Sequence, residues 1–65
     1  MTHTLILDDA QKFTFQRTGQ SVTVNRARRA AWNVRHWEFT GTFTWNLEEG
    51  RKFWKGLLKD GAIRA

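Results

Sequence analysis

Apolar residues in the last third of the chain recur at intervals of three and four, which is the period of one face of an α-helix. The stripe consists of Leu47, Phe53, Trp54, Leu57 and Leu58. Charged side chains occupy most of the positions between them, so the segment predicts an amphipathic helix with one face to bury. Asn46 is a suitable N-cap, and Gly61 can adopt the left-handed conformation that ends many helices. The predicted helix therefore spans residues 46–61.

Residues 12–24 alternate between apolar and polar side chains, which is the period of a half-buried β-strand. The alternation is interrupted at Thr18-Gly19, and glycine accepts the positive φ that tight hairpin turns require. A two-residue loop at this point pairs Phe15 with Val22, so that apolar side chains meet on one face. The segment predicts a β-hairpin in this register.

A second hairpin, rich in aromatic residues, is predicted over residues 31–47, with its turn at Thr40-Gly41. The return strand alternates cleanly, but the outgoing strand changes its apolar parity between Val34 and Trp37. Either a β-bulge near Arg35-His36 or two half-strands that serve different faces would account for this change.

Two further segments leave alternatives open. The apolar run within residues 1–9 fits either an edge strand or an arm that docks on a partner. Residues 25–30 contain three arginines and no acid, and fit either a basic connection or a strand that runs on into a basic loop. Together the patterns predict one α+β domain over residues 1–65. Its four-stranded antiparallel sheet of two hairpins is followed by one C-terminal amphipathic helix.

The small size of the chain bounds how it can be stabilised. A 65-residue domain has a core that rarely supplies more than roughly 3–5 kcal/mol without a disulfide, a metal or oligomerisation. The chain has no cysteine, and its two histidines, His3 and His36, are too few for a metal cage. We therefore predict no metal and no cofactor, and we expect a homodimer.

Charge and hydropathy narrow the class of partner. The formal net charge is +5 and the sequence pI is about 10.9, which favours a polyanionic partner. No apolar run approaches the roughly 20 residues that a membrane-spanning helix needs. The first nine residues lack the basic region and long apolar core of a signal peptide. We expect a cytoplasmic or nucleoid-associated protein.

Candidate catalytic groups are few. His36 and Glu38 would share one side of a strand, as a base and its orienting partner do, but a half-exposed polar pair on a sheet is the better interpretation. The glycines form no phosphate-cradling pattern. We therefore predict a protein that is not an enzyme and has no small-molecule substrate.

Basic and aromatic residues are interleaved along the strand region, and this mixture suits single-stranded nucleic acid. Cations follow the phosphates, flat rings stack on unpaired bases, and the planar guanidinium of arginine can do both. Packing in the core or in a dimer interface is the competing explanation for the tryptophans. The candidate nucleic-acid-binding residues are Lys12, Arg17, Arg26, Arg28, Arg29, Trp32, Arg35 and Trp37.

The order of elements over residues 12–60 resembles the PC4-like (Whirly/PUR-like) single-stranded nucleic-acid-binding fold. The stretch from Phe13 to Val24 is similar to the first hairpin of that group. Asn46 to Leu58 is similar to its strand-to-helix junction and helix. The resemblance implies a homodimer that assembles through helices and strand edges and binds single strands on curved sheets. The implied surface falls here on Lys12, Arg17, Arg26, Arg28, Arg35 and Trp37.

The leading hypothesis is a small dimeric single-stranded DNA- or RNA-binding protein, an accessory to transcription or replication with weak sequence preference. The alternative is a homodimeric protein-interaction module that binds no nucleic acid and buries its aromatic residues in an interface. A small SH3-like or OB-like barrel that binds duplex DNA or protein is a third option. A helix that follows all the strands argues against the standard forms of both barrels.

Overall fold

One five-stranded antiparallel sheet, with a helix across one face, makes up the computed structural model of the chain, which describes residues 2–65. The elements are β1 (Thr2–Leu7), β2 (Gln11–Thr18), β3 (Ser21–Arg29), β4 (Trp37–Asn46), α1 (Leu47–Lys59) and β5 (Ile63–Arg64). The strand order is β4-β3-β2-β1-β5, and every neighbouring pair is antiparallel. The predicted α+β class and C-terminal helix are confirmed, but the sheet has five strands instead of four.

The predicted first hairpin is present as β2 and β3, with a different register. Its turn is Gly19-Gln20, one residue later than predicted, and Gly19 has a φ of 61°. Phe15 therefore pairs with Val24 and not with Val22. Both registers place these apolar side chains on the same face, so the hydrophobic pattern could not distinguish them.

The predicted second hairpin is wrong. Thr40-Gly41 is not a turn, because β4 runs straight through both residues and pairs along its whole length with β3. The reversal lies earlier, in residues 30–36. There the side chain of Asn33 accepts a hydrogen bond from the Arg35 N–H at 3.0 Å, and its carbonyl accepts one from His36 N–H at 2.9 Å. Asparagine is a common turn former, and this competing signal outweighed Gly41.

A β-bulge at Thr40 divides β4 into two halves whose side chains alternate out of phase with each other. Arg26 pairs with Gly41 and Ala27 pairs with Phe39, so Thr40 is the extra residue. Because one inserted residue reverses which face the side chains on its two sides occupy, Phe39 lies on the face opposite Phe43. The bulge is not near Arg35-His36, and the predicted pair of half-strands is also wrong, because Trp32 and Val34 lie in the loop before β4 and not in a strand.

The remaining strand segments settle the open alternatives. β1 lies inside the sheet, between β2 and β5, so it is neither an edge strand nor a free arm. β3 continues to Arg29, so the basic segment is a strand that runs into the following loop. β4 is one edge of the sheet, and the two-residue strand β5 is the other.

The helix has both of its predicted caps. The Asn46 side chain accepts a hydrogen bond from the Glu49 N–H at 2.9 Å. At the other end Gly61 has a φ of 100°, and the Ala62 N–H donates to the Leu57 carbonyl at 2.9 Å. The Gly61 N–H donates to the Leu58 carbonyl at 3.1 Å, and the two bonds together form a Schellman motif. Leu57 and Ala62 both belong to the buried core cluster.

The helix covers the half of the sheet that lies near the Gly19-Gln20 turn. Its approach is close because Gly50 lies on Val22, where an added Cβ would be 3.0 Å from two atoms of the valine. The rings of Phe53 and Trp54 pack edge-on against Phe13 and Phe15 respectively. The core cluster consists of Leu5, Phe13, Phe15, Val22, Val24, Leu57 and Ala62. Within residues 2–65 no helix has the length and apolarity to cross a membrane.

Candidate nucleic-acid interface

Seven of the eight predicted site residues lie in one half of the sheet. We call it the loop end: the half that carries the turn at residues 8–10 and the loop at residues 30–36. These residues come from β2, β3, β4 and the loop, and lie on both faces of the sheet. They are Lys12, Arg26, Arg28, Arg29, Trp32, Arg35 and Trp37. Chain reversal thus brings together residues that are up to 25 positions apart in sequence.

Arg29 holds the loop end together. Its guanidinium donates to the Asp9 carbonyl at 2.9 Å, the Asp9 carboxylate at 2.6 Å and the Val34 carbonyl at 2.9 Å. It also lies over the ring of Trp37, with 4.1 Å from Cζ to the ring centroid. Its side chain is only 29% exposed. Arg29 therefore has a structural role, because it connects the turn at residues 8–10 to the loop at residues 30–36.

Arg28 and Trp32 share one acidic partner, Glu38. The Arg28 Nε lies 3.7 Å from the Glu38 carboxylate, and the indole N–H of Trp32 donates to it at 3.2 Å. The imidazole of His36 lies against the Trp32 ring, with centroids 4.9 Å apart. This cluster orients Trp32 and leaves the side chain of Arg28 68% exposed. It also occupies the Glu38 carboxylate, which weighs against a catalytic pair with His36.

The four tryptophans divide into different environments. Trp45 and Trp54 pack against the core beneath the helix. Trp37 is half-buried, and both Arg29 and Lys12 lie over its ring, the latter with Nζ 5.1 Å from the centroid. Trp32 is 70% exposed. Trp32 is therefore the indole with the most ring surface free to stack on a base.

Three cations of the loop end are in no ion pair with the described residues: Lys12, Arg26 and Arg35. Arg26 makes only a 3.5 Å contact with the Gln11 amide oxygen.

Phe39 was not among the predicted site residues, yet it is 68% exposed on the same half of the sheet. Its sequence position gave no indication of this, because the parity of β4 depends on the bulge.

Arg17 is not part of this cluster. It lies at the opposite end of β2, where its Nε donates to the Gly19 carbonyl at 3.1 Å. The basic side chains of the helix, Arg51, Lys52, Lys55 and Lys59, are all exposed, and Lys52 lies 3.9 Å from Glu48. These helical residues form the exposed face of α1, opposite the apolar stripe that packs on the sheet.

The described part of the chain contains no group of three or more His, Asp or Glu side chains that could hold a metal ion. Comparisons of the sequence with protein-family models and with curated proteins, and of the chain with solved structures, found no match.

Proposed function

We propose that the chain is a small non-enzymatic protein that binds single-stranded DNA or RNA through the loop end of its sheet. The observation that carries the proposal is that Arg26, Arg28, Arg35 and Lys12 lie in the same half of the sheet as the exposed indole of Trp32. Guanidinium groups would pair with successive phosphates, and Trp32 would stack on one base.

The order of four antiparallel strands and a C-terminal helix supports a relationship to PC4-like single-stranded nucleic-acid-binding proteins, which is part of the same proposal. The pattern of contacts argues for weak sequence preference, because exposed cations without rigid polar neighbours read the backbone and not base edges. A protein of this kind would act in the cytoplasm or on the nucleoid, as an accessory to transcription or replication.

Fluorescence anisotropy with a labelled single-stranded oligonucleotide tests the proposal. If four cations neutralise four phosphates, the slope of log K against log salt is about −2.8, which is an affinity loss of about fifty-fold between 50 and 200 mM salt. In a variant with Arg26, Arg28 and Arg35 all changed to Gln, the slope should become shallower by about 2. Arg29 is left unchanged because its loss would disturb the fold.

A matched control is available in the same chain. Changing Arg17, Arg51 and Arg64 to Gln removes the same amount of charge, but from the half of the molecule that lies away from the loop end. This control should retain most of the affinity. Equal loss in both triple variants would mean that only net charge matters and would remove the assignment to the loop end. No binding at low salt by the unmodified chain would overturn the nucleic-acid function itself.

The role of Trp32 is tested separately. Base stacking on an aromatic side chain contributes about 1–3 kcal/mol per base, so Trp32→Ala should weaken oligonucleotide binding by that amount. Trp32→Phe should retain part of it. Quenching of tryptophan fluorescence by the oligonucleotide should be largely lost in both variants. Undiminished quenching in Trp32→Phe would assign stacking to another indole.

The second candidate function is a homodimeric interaction module, and one observation favours it. β4 is a ten-residue edge strand that no other described element pairs or covers on its outer side. Long open edges readily pair with another chain. Sedimentation equilibrium should then show a dimer, and Thr44→Lys, which places like charges near a two-fold axis through β4, should weaken it. A monomer at high micromolar concentration would contradict this candidate.

A further inference from the structure

A groove lies between the helix and the sheet in the half of the molecule away from the loop end. Its apolar floor consists of Phe15, Val22, Gly50 and Trp54. The missing side chain at Gly50 keeps the helix close to the sheet and the floor smooth. The cavity volume is about 500 Å³, within the roughly 300–1,000 Å³ typical of small-molecule sites.

Three arginines and one histidine form the rim of this groove. Arg17 comes from β2, Arg51 from the helix and Arg64 from β5, and no acidic side chain lines the groove. Within residues 2–65 none of the three guanidinium groups lies in an ion pair. Arg64 is fixed in place, because its Nη2 lies 2.9 Å from Nδ1 of His3 and its Cζ lies 5.8 Å from the centroid of Trp54.

The chemistry of the groove defines its occupant. Three positive charges above an apolar floor favour a ligand that carries its negative charge at one end and an apolar body at the other. Guanidinium groups match the oxygen geometry of phosphate, and a doubly charged phosphate monoester balances three cations better than a singly charged carboxylate. The aromatic floor favours a flat ring.

We propose that this groove binds an aromatic phosphate monoester of about nucleotide size, held by Arg17, Arg51 and Arg64 with its ring on Phe15 and Trp54. The site would bind a small molecule, contrary to the expectation from sequence. It does not depend on the nucleic-acid function of the loop end, since the two sites share no residue. Sequence patterns gave no indication of it, because its rim residues come from three separate elements.

Isothermal titration calorimetry with adenosine monophosphate tests the proposal. One equivalent should bind saturably, while adenosine and inorganic phosphate should each bind at least about tenfold more weakly, because each lacks half of the recognised groups. Changing Arg17, Arg51 and Arg64 together to Gln should remove binding, and Arg51→Gln alone should weaken it about tenfold, as expected for loss of a charge-assisted hydrogen bond. Arg51→Gln matters because this helix-surface change leaves the contacts of Arg17 and Arg64 intact.

The matched control is the triple variant of Arg26, Arg28 and Arg35, which should bind adenosine monophosphate as the unmodified chain does. In that variant, tighter binding of a 5′-phosphorylated oligonucleotide than of the mononucleotide would identify a strand end as the source of the phosphate. The reverse order would identify a free nucleotide. Absence of binding at millimolar adenosine monophosphate, or unchanged binding in both groove variants, would overturn the proposal.

Discussion

At the scale of single residues, Arg29 shows how one side chain of a basic cluster can be structural. Its sequence neighbours Arg26 and Arg28 suggest a uniform binding patch, but only Arg29 has its donors satisfied by two other segments. The acidic partner, Asp9, is 20 positions away. A pairing at that separation depends on the turn at residues 8–10, which local sequence does not reveal.

The contacts of the Arg29 guanidinium predict that Arg29 and Arg28 contribute differently to stability, and this difference can be tested. Arg29→Lys retains the charge but cannot make the three hydrogen bonds of the guanidinium, so we expect the free energy of unfolding to fall by roughly 1–3 kcal/mol. Arg28→Lys is the control of equal charge, and it should change stability by less than about 0.5 kcal/mol. Chemical denaturation measures both. Equal effects would show that the Arg29 contacts contribute no stability.

Gly61 is the second residue whose role is set by its backbone. Its φ of 100° is strained for any residue with a Cβ, although nothing lies within 4 Å of where that atom would be. Gly61→Ala should therefore reduce stability by roughly 1–2 kcal/mol through conformational strain alone. Gly56→Ala, in the exposed helix interior, should instead increase stability by about 0.5–1 kcal/mol. Thermal unfolding of the two variants should shift in opposite directions, and shifts of the same sign would contradict this account.

At the scale of elements, the helix was predictable and the second hairpin was not. Capping is local chemistry: Asn46 and Gly61 act on backbone groups within a few residues, so the sequence pattern is sufficient. Strand pairing is not local. Gly41 looks like a turn residue, but it lies inside β4, where it pairs with Arg26. This alignment of β4 with β3 satisfies the backbone hydrogen-bonding groups of both strands. The register of the first hairpin was missed by a shift that leaves the buried face unchanged.

The contact between the helix and the sheet is tested by a pair of glycines. Gly50→Ala and Gly56→Ala gain the same helix propensity, but only the former places a Cβ 3.0 Å from Val22. Gly50→Ala should thus be less stable than Gly56→Ala by about 1–3 kcal/mol, the usual cost of overpacking. Trimming Val22 to Ala should reduce this difference in a double-mutant cycle. Equal stability of the two glycine variants would mean that the helix moves away freely.

At the scale of the whole molecule, cations outnumber acids by 11 to 6, and only three ion pairs are present among residues 2–65. Composition alone predicted the basic character, but not its division between a loop end and a groove. That division follows from the pairing of β2 with β3, which puts Arg17 beside the Gly19-Gln20 turn and the arginines of β3 toward the opposite end of the hairpin. A sequence-only list of site residues could therefore mix two surfaces.

Self-repulsion on this scale predicts how salt affects stability. Screening weakens repulsion between exposed charges separated by more than about 10 Å at 0.1 M salt, so the midpoint of thermal unfolding should rise from low to moderate sodium chloride. The effect should be smaller in either triple arginine variant, because both lower the net charge from +5 to +2. A midpoint that falls with added salt would show that the ion pairs dominate over the repulsion.

The bulge at Thr40 has a consequence for how such a chain can diverge. Loss of this one codon would remove only the extra residue, so Phe39 would stay opposite Ala27 and Trp37 opposite Arg29, on the faces that they already occupy. The pairing of Phe43 with Val24 would not change either. A single in-frame deletion could thus straighten this edge strand in one evolutionary step, with no change in which side chains form the core or the aromatic surface of the loop end.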